Sequence, residues 1–299
     1  MASLLWLQTN SKLKNGLMFY VSCGILILFD LGRVSDRYFT SDDWVSQNTI
    51  ETPFQQTAVD QAIKKDQSYY RVYNLNEGLN GAKTSYFHNS LGGYHAAKPK
   101  YVQNLFDYHI FNGNPQILNM LNVKYLINQN EDGPGYSLNE NNLGPAWFVD
   151  SLVIAKNADQ AIQSIANIDL SNTAVIQNPT KALAIGSGAS RRITSLSHSP
   201  DLHVYEYQSD KNSFIVFSEW YPMASTEDWQ LYLDDEAIKL ERVNYALRGA
   251  FLPAGSYKIE MRFNPVIVAK AQIGHWIGHI LLIFLFFFYV YNAIKLKET

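Results

Sequence analysis

The sequence predicts an α+β protein in which two transmembrane helices bracket a folded region made of a small α/β unit and an antiparallel β-sandwich. Three observations carry this. Long apolar runs lie near both ends of the 299-residue chain. Between residues 57 and 176, helical and strand patterns alternate, as in an α/β unit. From residue 192 to 263, strand follows strand with turn residues between them, as in a sandwich.

The C-terminal run covers residues 271–294, with an uncharged stretch, ILLIFLFFFYV, at 280–290. A helix of about 20 mostly apolar residues crosses ~30 Å of hydrocarbon, and in lipid a helix satisfies its own backbone hydrogen bonds. Tyr289 and Tyr291 sit near its end as interfacial aromatics, and Lys295 and Lys297 stop it. Its length and lack of a polar face argue against a buried core helix. The N-terminal run, 13–31, contains MFYVSCGILILF, with Lys12 and Lys14 placed to snorkel. A basic flank before a short apolar core also fits a signal peptide. No small-x-small cleavage site follows, only Asp30, Leu31, Gly32 and Arg33, so the run reads as a span. Both tails then lie on one side. Lys12, Lys14, Lys295 and Lys297 flank the spans there, against Arg33, Arg37, Arg262 and Lys270 on the loop side, so charge alone does not orient the chain.

A formal net charge of −3 excludes a basic nucleic-acid footprint. The 19 Tyr, 16 Phe and 6 Trp, many beside Asn, suit sugar stacking and equally suit a large β-rich core. The single cysteine, Cys23, lies inside the first span, which excludes an intrachain disulfide and a thiolate metal site.

Along the chain, Thr40, Ser41, Asp42 and Asp43 before Trp44 read as a helix start, with hydroxyls as caps and acids in the first turn. A helix at 57–65 leads to a strand at 70–75. The segment 78–98 holds too many Gly and Asn to be one regular element. Helices are expected at 101–111 and 116–121, a short buried strand at 123–127, and an acidic, Gly/Pro-containing loop at 128–143. A strand at 147–155, a helix at 158–165 and a strand at 173–176 follow. Composition shifts at 185–190 (IGSGAS), a plausible linker. Strands are then expected at 192–197, 202–208, 214–218, 230–233, 238–243, 249–252 and 257–263. In the last, Tyr257, Ile259, Met261 and Phe263 point one way and Lys258, Glu260 and Arg262 the other. Domain boundaries follow at 1–31, 32–184, 185–265 and 266–299.

The chain lacks G-x-x-x-x-G-K-[ST], H-E-x-x-H and G-x-S-x-G. His275 and His279 share one face of the last span beside Gly274 and Gly278. Such a pair can bind metal or serve an embedded site, but no carboxylate or cysteine is obviously placed to complete a metal site. Helix packing, which glycines allow to be close, explains them better. The segment 84–98, TSYFHNSLGGYHAAK, gathers two histidines, two tyrosines and a lysine around a Gly-Gly bend. It reads equally as a loop presenting donors to a phosphate-sugar ligand and as a structural loop.

Y-R-V at 70–72, that same loop, and I-L-N-M-L-N-V-K-Y-L-I at 117–127 resemble the YfhO-like bacterial membrane proteins, Bacteroidota variants above all. So do L-G-P-A-W-F-V at 143–149, W-Y-P at 220–222, W-x-x-Y-L-D at 229–234 and N-Y-A-L-R-G-A-F-L-P-A-G at 244–255. Two departures are local. Asp234, Asp235 and Glu236 stand where family members usually carry an Asp-Gly turn, and residues 223–228 lengthen the loop after W-Y-P. A larger one is extent, because family members are polytopic, with about a dozen spans, and resemble GT-C glycosyltransferases.

The resemblance implies the C-terminal part of such an enzyme: the penultimate span, a large extracytoplasmic domain of α/β unit and sandwich, and the final span. Residues 1–7 read as the tail of a preceding span. It also implies cytoplasmic tails, an inner-membrane location, a polyprenyl-phosphate sugar donor and an envelope glycan acceptor as partners, with the catalytic carboxylate upstream and no cofactor. Tyr86, His88, Tyr94, His95 and Lys98 are then candidates for the phosphate-sugar side, and Trp220, Tyr221 and Arg248 for glycan stacking and bonding. Each of these also reads as a core aromatic or a satisfied structural polar group. A non-catalytic, membrane-anchored glycan-binding or assembly module is the alternative. A purely structural envelope protein would bury the Gly92-Gly93 loop with no cleft beside it.

Overall fold

The strand Ser213–Trp220 (SFIVFSEW) is apolar on both faces, and both faces are covered. Phe214 and Val216 pack into one core and Ile215 and Phe217 into another, as a two-residue period requires of a strand between two layers. In a computed structural model of the protein, described over residues 16–51, 54–130, 133–177, 179, 185–186, 190–221 and 228–298, this strand lies inside the larger of three sheets. Side chains at 266, 269, 290, 293 and 296–298 also lie outside the description. So do the expected preceding-span tail at 1–7, Lys12, Lys14, residues 187–189 of the linker at 185–190, and the lengthened loop from Pro222 to residue 227.

The chain divides into two units, Met1–Gln55 and Gln56–Thr299. The first contains the apolar helix Gly16–Ser35, long and apolar enough to cross a bilayer. The expected helix start at Thr40 is a single 3-10 turn, Ser41–Asp43, closed by a capping box between Thr40 and Asp43. A short helix, Gln47–Glu51, follows.

In the second unit the strands, numbered in chain order, are β1 (Arg71–Asn74), β2 (Val123–Asn130), β3 (Gly133–Leu138), β4 (Ala146–Val149), β5 (Ser151–Ala155), β6 (Thr173–Gln177) and β7 (Arg191–His198). They continue as β8 (Leu202–Ser209), β9 (Ser213–Trp220), β10 (Trp229–Leu233), β11 (Glu236–Ile238), β12 (Glu241–Val243), β13 (Leu247–Leu252) and β14 (Gly255–Phe263). One sheet has the order β1-β2-β3, a second β11-β10-β14-β8-β7, and the third β4-β9-β13-β12-β6-β5. The second is antiparallel throughout. The third is antiparallel except for β5 and β6. Its two edge strands, β4 and β5, are separated in sequence by Asp150 alone, so this sheet must curl back on itself.

The five-stranded sheet packs on the curled one through Tyr205, Tyr207, Phe217, Leu231, Ala250, Ile259 and Met261, the sandwich core. The other face of β9 meets Leu105, Phe106, Ile117 and Met120 from the helices Lys100–Leu105 and Pro115–Met120 and the turn between them. A smaller core of Ile63, Tyr70, Val72 and Ile127 lies under the helix Ala58–Ile63. The mixed α+β character and the sandwich-like pairing of sheets agree with the sequence reading.

Several expectations need correction. The boundary at residue 185 does not separate two sheets: β4, β5 and β6 come before it and β9, β12 and β13 after it, in one sheet. The loop expected at 128–143 contains β3, because Tyr136 and Ser137 pair with Ile127 and Leu126 in a hairpin. The helix expected at 101–111 changes at Phe106 to a wider turn, Phe106–Ile110, where Phe111 N–H reaches Phe106 O and the His109 ring bonds Ile162 O at 2.8 Å. The strand expected at 238–243 is two, β11 and β12, in different sheets. The Asp234-Asp235 turn is a two-residue hairpin loop with φ of 46° and 71°. It keeps the geometry of a glycine-type turn without the glycine.

The C-terminal helix, Val266–Glu298, includes a second stretch, Lys270–Tyr289, long and apolar enough to cross a bilayer and unburied by the rest of the chain. On it the His279 ring bonds the His275 carbonyl at 2.9 Å.

Candidate functional site

Two bulges converge on one buried polar cluster. In β7, Ser195 pairs with Tyr205 and Ser197 with Val204, so Leu196 is extra, and next to the turn His198 lies opposite His203. In β9, Trp220 pairs with Leu247 and Phe217 with Arg248, which leaves Ser218 and Glu219 without partners of their own in that ladder. The Ser218 hydroxyl turns to the helical side and donates to Gly144 O at 2.6 Å. Glu219 turns toward His198 and His203.

Arg71, from β1, reaches in to Glu219. It donates to Ser218 O at 2.5 Å and Leu121 O at 3.0 Å, and meets both Glu219 oxygens at 3.2 Å. The Tyr69 hydroxyl donates to Glu219 Oε1 at 3.0 Å. Tyr69, His198 and His203 stack with ring centroids 3.3 and 3.6 Å apart, Trp229 caps the column, and the Arg248 guanidinium lies 4.3 Å above Trp229. Arg71, Glu219 and Arg248 are 7 %, 8 % and 4 % exposed.

Charge in such a place is set by neighbours. Burial would raise the Glu219 carboxyl, but Arg71 and then the histidines and Arg248 more than offset it, so it lies below the usual range. Burial, followed by His203, pushes His198 down to about 3, and burial also lowers His203. Both rings are therefore neutral near pH 7, and the 3.6 Å His198–Glu219 approach is not an ion pair there. Burial brings the Arg248 guanidinium down to about 10. Among the described residues, His198 Nδ1, His203 Nδ1 and the Tyr205 hydroxyl are buried with no hydrogen-bond partner. Such atoms are few in native proteins and each calls for an explanation.

His198, His203 and Glu219 bring one ligand atom each within 4.8 Å of one another. The chemistry argues against a cation. No partner orients either Nδ1, and two guanidiniums repel positive charge.

A cleft of about 550 Å³ opens beside the cluster, lined by Tyr69, His198, Tyr205, Ser195, Ser197 and Gln67 among others. A second, also about 550 Å³, lies across Gln67 and Ser68, and is lined by Lys64, Asp66, Tyr70, Tyr86, His88 and Asn89.

The sequence candidates fall into separate places. Tyr86 lines the second cleft, in contact with Phe87. His88 is buried against Asp60, Nε2 to Oδ1 3.0 Å, and Asp60 also closes the capping box of Thr57, so this histidine is tied into the fold. Tyr94, 81 % exposed, and His95 stand out in solvent. Lys98 donates to Leu79 O and Asn80 Oδ1 at 2.6 and 2.8 Å, which ties the end of the loop to its start. Gly92 approaches the Gly78 carbonyl so closely that a Cβ there would lie 2.3 Å from it. The loop is thus neither fully buried nor without a cleft beside it. Trp220 lies tilted against Tyr101, ring centroids 5.7 Å apart, and Tyr221 N–H donates to Ala246 O. Arg248 belongs to the cluster, donating from Nε to Trp220 O at 2.8 Å.

Sequence reasoning missed Tyr69, Arg71, His198, His203, Tyr205 and Glu219. A signal existed for two of them: strands expected at 192–197 and 202–208 around Ser199, Pro200 and Asp201 make a hairpin that faces residue 198 with 203. Comparison of the chain with family models, with curated proteins and with solved structures finds no match.

Proposed function

We propose that the chain is the C-terminal part of a polytopic, YfhO-like, GT-C-type membrane glycosyltransferase. Its folded region stands on the extracytoplasmic face of the inner membrane and holds an envelope glycan acceptor. The catalytic base and the site for the polyprenyl-phosphate sugar lie in another part of the enzyme. One observation carries the reading: two adjoining clefts are lined by tyrosines, histidine, hydroxyls and amides, while the nearby buried carboxylates are committed, Glu219 to Arg71 and Asp60 to His88. Aromatic faces with hydroxyl and amide partners suit a sugar. A carboxylate held by an arginine is a poor proton acceptor. The two long apolar helices, whose surfaces the chain leaves uncovered, support the membrane placement.

The test is transfer from labelled polyprenyl-phosphate sugar in membranes, with the 299-residue chain and with the longest form encoded at its locus. Transfer by the long form alone is expected. Transfer by the 299-residue chain alone would overturn the division of labour. The committed state of Glu219 and Asp60 also favours a second reading, a non-catalytic, membrane-anchored glycan-binding or assembly module beside a separate catalytic subunit. That reading wins if neither form transfers and the chain still retains glycan.

A further inference from the structure

Side chains of a strand alternate between two faces, so a groove on one face touches every second residue. A groove of about 460 Å³ on the face that carries Glu206 and Lys258 does so, meeting Arg192, Thr194 and Leu196 from β7. The cleft beside the buried cluster instead meets every residue from Ile193 to His198. Ile193, Thr194 and Ser195 are consecutive ahead of the bulge, so the bulge does not account for this. A groove that runs along the edge of the strand does.

Strand β7 is the last of its sheet, and β4, whose first residue Ala146 also lines the cleft, is an edge strand of the other. Asp210 N–H donates to Ser190 O, which sets the alternation of bonded and unbonded pairs. The main-chain groups of Ile193 and Ser195 therefore point away from β8. Five steps of ~3.3 Å give this edge a run of about 16 Å, longer than one sugar ring. The groove also continues, because Gln67 and Ser68 line both this cleft and the second, where Tyr86 is 65 % exposed.

Among the described residues lining the first cleft there is no Asp, Glu, Lys or Arg, and His198 is neutral near pH 7. The second has Lys64 and Asp66, one of each sign, with Asp66 bridged to Lys124. A charged ligand would lose water here without gaining a counter-ion. Sugar hydroxyls both donate and accept, as a sheet edge does.

Resting on the glycan reading above, we infer that the two clefts act as one groove for a neutral glycan chain, a single oligosaccharide lying along β7 and passing Gln67 and Ser68 to Tyr86. It is taken along its length, not by one terminal sugar.

The full chain in detergent micelles is titrated calorimetrically with cello-oligosaccharides and malto-oligosaccharides of one to six units, and with a hexamer of galacturonic acid. In the series that binds, six units should bind about tenfold or more tightly than two, a gain that two added hydrogen bonds of ordinary strength supply. One hexamer should bind per chain. Tyr86→Ala should weaken the hexamer about fivefold or more at an unchanged melting temperature.

Equal affinity for one unit and six overturns the chain assignment and leaves the glycan reading standing, as does a stoichiometry of two hexamers. Unchanged hexamer affinity in Tyr86→Ala takes the second cleft out of the path and overturns the single groove. Tighter binding of the galacturonic acid hexamer overturns the neutral assignment. If no oligosaccharide binds and a neutral extended peptide does, the edge belongs to a polypeptide strand and both readings fall; they fall equally if nothing binds.

Discussion

Glu219→Gln keeps the shape of the side chain and deletes its charge, leaving the Arg71 guanidinium buried without a counter-ion. Glu219 and Arg71 side chains are 11 % and 8 % exposed, so solvent does little to replace the lost partner. Breaking a buried pair from one side costs ~3–5 kcal/mol, and the lower end applies because glutamine can still accept from Arg71 and Tyr69. In a domain of this size ~1 kcal/mol moves the melting temperature by about 2–4 °C, so about 6–12 °C is expected. Arg71→Met costs more, because Leu121 O and Ser218 O lose their donor as well. The double variant should be less unstable than the two losses added, by about 2 kcal/mol or more, because the second change removes a charge the first had stranded. The assay is thermal unfolding of the full chain in detergent micelles, followed by near-ultraviolet circular dichroism. Additive losses would refute the reasoning, since the pair would then not be coupled.

Three further outcomes follow from the same geometry. His198 titrates near 3 in the fold against an ordinary 6.5, and His203 is lowered too, so below pH 6.5 the unfolded chain binds protons that the folded chain refuses. Stability should fall with pH across the window from 6.5 to about 3, at up to ~1.4 kcal/mol per pH unit for each group, and be unaffected by these groups above it. Urea midpoints between pH 7 and 5, above the carboxylate range, check this, and a flat profile there would exclude it. Asp235→Gly should raise the melting temperature by about 1–3 °C. It relieves a left-handed residue at φ 71° and removes only an 82 %-exposed carboxylate's bridge to Arg262; a lower melting temperature would show that the bridge matters more. Gly249→Ala would set a Cβ 2.8 Å from two Phe214 ring carbons and 3.0 Å from Val243, and should cost ~1–3 kcal/mol by differential scanning calorimetry. No loss would mean that the Phe214 ring can yield.

Much of the fold is legible because the residues declare their period. Tyr257 to Phe263 alternate, and Ile259 and Met261 are fully buried while Lys258 is exposed. Thr57 and Asp60 announce a capping box, and the helix begins there. What the sequence hides is anything set by a distant partner. Residues 133–138 hold two Gly and a Pro and read as loop, yet pairing with β2 makes them a strand. Nothing near residue 150 says that β4 and β5 belong to opposite edges of one sheet.

The candidate site was hidden for the same reason. Glu219 sits in a run of apolar residues with no local sign of a charge partner, and its arginine lies 148 positions upstream. A bulge at Leu196 shifts the pairing of β7 with β8 beyond Ser197, and no local pattern announces it. The recognised motifs did touch the cluster at Arg71, Trp220 and Arg248. They did not say that these three meet.

The curled sheet also fixes when the protein can be finished. Strand β4 finds its antiparallel partner only in β9, and the sheet is not complete until β13 has been made, just ahead of the apolar helix Val266–Glu298. Until then Trp147, Val149, Ala174 and Ile176 have no covering strand and stay open to wrong pairing. A nascent chain of this kind holds its central layer unmade while most of its length already waits outside the ribosome. Such a chain benefits from a holding chaperone, and a stall shortly before Leu247 would expose it more than an earlier one.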